Sequence, residues 1–283
     1  MRYTKIEKWE PSDNMDLEEN ALITVRSDCN TLVVAGPGAG KTELLAQRAS
    51  FLLETNKCAY PKRILAISFK RDAAYNLKKR VEKRCGEKLS KRFDSLTFDA
   101  FSKLILDQFY RGLPDDYKIN YPYDVIINEK DLLYDIYRGI DNDFFHTHIN
   151  KLFDFHNEVL PFDKANDDNK VKFKAWKKLL QEKKSNLSFK MIMRLSQLII
   201  NSNSKIKTYL QETYSHVFLD EFQDTTFLQF DFLNSCFQDC RTVLTAVGDD
   251  KQRIMLWAGA KPDIFDAYIK EYNAKNLFLE MNF

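Results

Sequence analysis

The chain has 283 residues, 44% apolar and 30% charged, a length and mix that suit one large or two modest domains with a real core and exclude a disordered chain. Lysine and arginine outnumber aspartate and glutamate by 43 to 41, so the net charge of +2 says little, and local clusters must carry any argument for nucleic-acid contact. No apolar run approaches the ~20 residues of a membrane span, and the segment Met1–Lys5 is too polar for a secretion signal, so the expected location is the cytoplasm with no membrane partner. The five scattered cysteines suit reduced thiols rather than a disulfide framework.

Residues 1–30 read as a polar lead-in that ends in a short amphipathic helix beginning near Met15. The run Leu32-Val33-Val34-Ala35 then predicts a strand, Gly36-Pro37-Gly38-Ala39-Gly40 a glycine-rich turn, and Lys41-Thr42-Glu43-Leu44-Leu45 the start of a helix. Such a turn lets successive backbone N–H groups face a phosphate, with Gly36, Gly38, Ala39 and Gly40 forming the cradle. Lys41 is placed to reach the outer phosphates and the Thr42 hydroxyl to ligate Mg²⁺. Ala35 stands where the usual pattern has its first glycine.

Lys62–Phe69 reads as a second buried strand, and strand–helix–strand within about 40 residues is a βαβ unit with parallel pairing. Lys70–Arg92 carries ten cations against three acids on a helix expected from Asp72. Such a run is often only a solvated helix face, but its place after a parallel strand favours contact with phosphate backbones. Leu96–Phe101 reads as a third strand passing into a helix, with Asp99 as its cap.

Residues 107–205 break the alternation and read as a mostly helical insertion. Within it, Lys170–Lys178 interleaves cations with aromatics, which fits an amphipathic helix with a lysine-rich outer face and, less well, a grip on nucleic acid. The α/β pattern resumes with Val217–Leu219, ending in Asp220-Glu221-Phe222-Gln223-Asp224, and with Val243–Val247, ending in Gly248-Asp249-Asp250-Lys251-Gln252. A helix over Pro262–Lys270 and a strand over Leu277–Glu280 follow.

Paired carboxylates at the end of an apolar strand downstream of a phosphate loop have a defined use. Asp220 would hold Mg²⁺, and Glu221 would orient the attacking water and accept its proton. Gln252, on the next loop, is placed to sense the γ-phosphate.

Taken in order, these motifs resemble the N-terminal half of a superfamily 1 DNA helicase of the UvrD/Rep/PcrA kind. Ala35–Thr42 resembles the ATP loop, Ile64–Leu77 the following motif, Thr97–Phe101 the Thr-Phe-His-Ser-Phe element, and Val217–Thr225 the Asp-Glu-Phe-Gln-Asp-Thr signature. Gly248–Ala260 resembles the sensor motif, and Leu279–Phe283 the start of Leu-Glu-x-Asn-Tyr-Arg. The resemblance implies an α/β fold: a RecA-like P-loop NTPase domain, with a central mainly parallel sheet, in two pieces, 1–106 and 206–283, around a helical insertion over 107–205. It implies ATP and Mg²⁺ as cofactors and single-stranded DNA or single/double-strand junctions as partner. Lys41, Thr42, Asp220, Glu221 and Gln252 would serve the nucleotide. Phe69, Thr97, Phe98 and Trp257 would line the DNA track.

Several positions depart from the pattern. Asn20 falls where an adenine-reading Gln belongs, Glu43 where an adenine-stacking Arg is common, and Phe283 at the tyrosine position beside the nucleotide. Asp99 replaces a His, Met255 an aromatic and Ala258 an Arg. The resemblance also implies a second RecA-like domain, supplied in cis or by a partner protein. Because its arginines are typically worth ~10³–10⁵ in rate, the isolated chain is expected to be a fragment or half-motor that binds ATP but hydrolyses it weakly. A nucleotide-gated DNA sensor of a repair or antiphage assembly is the alternative. A P-loop kinase or small GTPase explains neither acidic strand end.

Overall fold

The computed structural model describes residues 3–153, 158–252 and 259–279. Its elements run α1 (Glu19–Arg26), β1 (Thr31–Ala35), α2 (Lys41–Glu54), β2 (Arg63–Ser68), α3 (Arg71–Ser90), β3 (Phe93–Thr97) and α4 (Phe98–Phe109). There follow β4 (Asp124–Ile126), α5 (Glu129–Ile140), α6 (Asn142–Leu152), α7 (Asp167–Leu180), β5 (Asn186–Ser188), α8 (Phe189–Ser202) and α9 (Ser204–Thr213). The chain continues through β6 (Tyr214–Leu219), α10 (Phe227–Phe237), β7 (Val243–Gly248), α11 (Ile264–Tyr272) and β8 (Lys275–Leu279).

Two compact units result, Met1–Phe98 with Thr208–Phe283, and Asp99–Lys207. The joints expected from the sequence, at 106/107 and 205/206, fall inside α4 and α9. No proline or glycine punctuates either helix, so the composition gives no cue to where one unit gives way to the next.

The first unit is built on a six-stranded sheet of order β3-β2-β6-β7-β1-β8, in which each neighbouring pair is parallel. All five residues of β1 are buried, as are all but the first of β2 and of β7. Continuous apolar runs of this kind follow from covering a parallel sheet on both faces. α2 is buried from Glu43 to Leu53 and packs against α1 and α3.

The lead-in is part of this core. Trp9 is 2% exposed, meets Phe51 edge-on at 5.2 Å, and donates its indole N–H to Glu54 Oε2 at 2.9 Å. Some boundaries shift from expectation. α1 starts at Glu19 rather than near Met15, β3 starts at Phe93, and α3 is interrupted at Gly86, whose φ of 78° favours glycine. α4 begins at Phe98, so Asp99 lies in its first turn instead of capping it; a carboxylate there still complements the helix dipole.

The second unit is mostly helical, with β4 and β5 pairing in parallel. Its core gathers Tyr137, Phe145, Trp176, Leu187 and Met191. Trp176 is fully buried on α7 and Phe173 packs against the core, with Lys164 Nζ 4.4 Å from its ring centroid. The alternation over Lys170–Lys178 is therefore that of an amphipathic helix, its aromatics turned to the interior.

Candidate functional site

The carboxyl ends of β1, β6 and β7 converge on one cavity of about 420 Å³, lined by residues 37–43, Arg80, Glu221 and Gln252. The turn after β1 takes its shape from Gly38 and Gly40, at φ 77° and 73°, where a side chain would cost ~1–2 kcal/mol. Ala39 N–H donates to Gly36 O at 3.3 Å, and Leu44 N–H donates to Gly40 O at 2.9 Å as α2 begins. The N-terminus of α2 thus opens onto the cavity with its unpaired N–H groups. Lys41 Nζ donates to Ala35 O at 3.1 Å and Gly36 O at 3.3 Å, and lies 3.8 Å from Asp249 Oδ2.

At the end of β6, Asp220 N–H donates to Ile67 O at 2.9 Å, which extends the ladder one residue and fixes the carboxylate. Asp220 is 6% exposed; burial, with the adjacent Glu221 charge, pushes its carboxyl up to about 6, against the pull of the Glu221 N–H and Lys41. Burial and Glu221 also raise Asp224. Glu221 itself takes the left-handed conformation at φ 51°, uncommon for a residue with a side chain and typical of functional positions held by their surroundings. Its Oε2 accepts from Gln223 Nε2 at 2.9 Å, while Gln223 Oε1 accepts from Asp249 N–H at 3.0 Å. Gln252 Nε2 donates to Asp249 Oδ2 at 2.8 Å.

Asp249, fully buried at the end of β7 and between the other two strands in the sheet, thereby joins Lys41, Gln252 and, through Gln223, Glu221. Asp249 and Gln223 have no part assigned from the sequence alone. The available signal is a polar pair at the ends of two apolar strands that the fold makes neighbours. Gly248 completes this junction. A Cβ there would fall 2.8 Å from Phe265 Cζ and 2.9 Å from Gln223 Oε1. Gly248→Ala is expected to cost about 1–3 kcal/mol of stability, read as a lowered Tm in thermal unfolding; an unchanged Tm would mean that the strand end yields freely.

The other wall of the cavity holds a buried ionic group. Glu43, 5% exposed in the first turn of α2, accepts from Arg80 Nη1 at 3.0 Å, Arg84 Nε at 2.9 Å and Gln47 Nε2 at 3.1 Å. Burial opposes its ionisation, but the hydrogen bonds from Arg84 and Arg80 outweigh it and hold the carboxyl below its ordinary range. Arg84 also pairs with Asp13. Arg80 therefore brings a guanidinium to the cavity from α3, although Glu43 occupies the position where the resemblance expects an arginine.

The remaining candidates are distributed as follows. Thr42 lines the cavity. Asn20 does not; its side-chain N–H donates to Phe278 O at 2.8 Å, tying α1 to β8. Phe69 is half-buried just after β2 and Thr97 half-buried at the end of β3, with Ser68 and Thr97 paired in register. Phe98 is 6% exposed, so its ring offers packing rather than an open face. Trp257 and Phe283, with Met255 and Ala258, lie outside the described residues.

A family model described as the UvrD/REP helicase N-terminal domain matches residues 16–273. The chain belongs to this family. It is 29% identical to a probable DNA helicase II homolog of Mycoplasma capricolum over 89% of this chain and 36% of that protein. It is 27% identical to the ATP-dependent DNA helicase Rep of Buchnera aphidicola subsp. Schizaphis graminum, over 94% of this chain and 41% of that one. For the ATP-dependent DNA helicase PcrA of Staphylococcus epidermidis the values are 28%, 95% and 38%. The chain thus spans about two fifths of the length of these relatives. The α/β architecture with its six-stranded parallel sheet agrees with the RecA-like fold expected from the sequence.

Proposed function

We propose that this chain is the first motor domain of an ATP-dependent single-stranded DNA translocase or helicase, working with a second RecA-like domain. The observation that carries the reading is the meeting of Lys41, Thr42, Glu221 and Gln252 on one cavity at the carboxyl edge of a parallel sheet, where open α/β sheets bind ligands. The relatives named as ATP-dependent DNA helicases support ATP as the nucleotide and DNA as the partner.

The donor set fits Mg²⁺. Among the described residues no group of three His, Cys, Asp or Glu could hold a metal, and Mg²⁺ at nucleotide sites uses one or two protein oxygens with phosphates and water. The Thr42 hydroxyl and the Asp220 carboxylate would hold it, and Asp220, which burial makes reluctant to ionise, would gain a compensating charge. When bound, the ion would neutralise negative charge on the phosphates during transfer. Lys41 would turn from its loop carbonyls to the outer phosphates. Glu221 would take the proton of the attacking water as the bond from the γ-phosphorus to the bridging oxygen breaks and ADP leaves. Gln252, held by Asp249, would report on the γ-phosphate to the β7 strand end.

Among the described residues no helix is long and apolar enough to cross a membrane. The motor would act on DNA in the cytoplasm. Titration with a fluorescent ATP analogue in the presence of Mg²⁺ tests the reading. The chain is expected to bind, and Lys41→Ala to weaken binding by about 10²-fold, the loss of one charge-assisted phosphate contact at roughly 3 kcal/mol. Binding that is absent, or unaffected by Lys41→Ala, would overturn the assignment.

A further inference from the structure

In the Asp99–Lys207 unit, Tyr110 and Tyr121 stack with ring centroids 4.7 Å apart and planes 11° from parallel, and Tyr123 meets Tyr121 edge-on at 6.1 Å. The group is held in place. Tyr123 Oη donates to Asp107 Oδ1 at 2.7 Å, and Lys103 Nζ donates to the other oxygen of that carboxylate at 2.6 Å while lying 5.0 Å from the Tyr123 ring centroid. Asn120 N–H donates to Ser185 Oγ, Asn120 Nδ2 to Glu182 O, and Asp124 N–H to Ser185 O, at 2.6–2.8 Å. These bonds pin the tyrosine segment beside the turn that carries Lys183 and Lys184. Tyr121 nevertheless stays 50% exposed, so a ring already stacked on one side presents surface to solvent.

The charges around it are uneven in their commitments. Asp107 is taken by Lys103, Asp124 pairs with Lys184, and Asp115 with Lys118. Arg111, whose guanidinium lies 5.6 Å from the Tyr110 ring centroid and whose Nε donates to Tyr110 Oη at 3.3 Å, and Lys183 form no ion pair among the described residues, and Glu182 beside Lys183 is held by the Asn186 amide instead of a cation. A near-parallel aromatic pair with a solvent-facing ring can be continued by any nucleobase, since every base has a π-face, and an arginine and a lysine without carboxylate partners suit its phosphates. A docked protein would instead ask for a broad apolar patch around a buried anchor, whereas the side chains bonded to or lying over these rings, Lys103, Asp107 and Arg111, are charged.

We propose that Tyr121, backed by Tyr110, is a base-stacking platform for single-stranded DNA on the helical insertion, with Arg111 and Lys183 receiving the backbone. This rests on the reading that the chain works on single-stranded DNA, and adds a contact point outside the strand-end motifs. The test uses the whole chain and a fluorescein-labelled oligothymidylate, read by anisotropy, together with photocrosslinking to the same oligonucleotide carrying 5-iododeoxyuridine. Tyr121→Ala is expected to weaken binding about tenfold with an unchanged Tm, Tyr121→Phe to bind like the parent, and the crosslinked peptide to contain Tyr121. Arg111→Ala is expected to reduce the salt slope of binding by about one. A parent chain that binds the oligonucleotide while Tyr121→Ala binds equally well, or crosslinks that avoid the Tyr121 peptide, would overturn the platform alone. A parent chain that binds no oligonucleotide would overturn it together with the DNA-motor reading.

Discussion

Replacing Glu221 with glutamine is expected to lower ATP turnover by about 10²–10⁴-fold, measured with Mg²⁺ and single-stranded DNA, while nucleotide affinity stays within about twofold. The two side chains have the same shape, so the introduced amide keeps the contact to the Gln223 side chain and the left-handed backbone at this position, but it has no basicity with which to take a proton from water. Electrostatics predict a second result. Glu221 is one of the two influences that raise the Asp220 carboxyl, the other being burial, so its neutralisation eases the ionisation of Asp220 and the fold loses no stability. A general base is therefore distinguished from a structural carboxylate by a fall in kcat with Tm unchanged or higher. Equal losses of turnover and Tm would assign Glu221 to the fold instead. The test is a ratio between variant and parent, so it does not depend on how fast this chain turns over without a second domain.

Much of this arrangement is legible in the sequence because it is local. Glycines between an apolar run and Lys-Thr can do few other things, and the strand ends at Asp220 and Gly248 are marked by abrupt changes from apolar to acidic residues. What cannot be read locally is adjacency. Asp249 matters because β7 lies between β6 and β1, a consequence of strand order that no spacing in the chain reveals. Arg80 reaches the cavity because α3 packs on α2, bringing a guanidinium 37 residues downstream against Glu43. In the sequence it is one cation among ten. The same limit explains Asn20, whose position relative to Ala35 suggests the nucleotide but whose amide is engaged by the β8 backbone 258 residues away. It explains Trp9 as well, which sits in a polar lead-in yet is drawn into the core by Phe51 and Glu54. Within the second unit, the aromatic spacing along α7 does not say which rings face inward until Trp176 is seen in the core.

Acidification from pH 7 to pH 4.5 is expected to cost the folded chain about 2–3 kcal/mol through one histidine, and His216→Asn to remove most of that dependence. His216 is 6% exposed on β6, between β2 and β7 in the sheet, with its Nδ1 3.0 Å from Ser215 Oγ. Burial pulls its pKa down to about 3, and the positive charges of Arg48 and Lys57 pull in the same direction. Arg48 cannot relax away: its guanidinium donates to Val25 O at 3.0 Å and Ser27 O at 2.9 Å and lies 5.9 Å from the ring of Phe218, two residues along β6 and on the same face as His216. The unfolded chain takes up the proton near the ordinary histidine value of 6.5, whereas the fold resists until about pH 3. Between those values the unfolded state binds more protons, so stability is fully present above pH 6.5 and is lost as pH falls, at about 1.4 kcal/mol per pH unit. Asp220 works in the opposite sense, since its raised carboxyl favours the fold once protonated below about pH 6. It does so equally in parent and variant, and the difference between their urea midpoints across pH isolates the histidine. The substitution lowers stability at pH 7 by leaving unfilled space, but its pH slope should be the flatter of the two. Parallel slopes would mean that water reaches His216 and that the centre of the sheet is more open than its packing indicates.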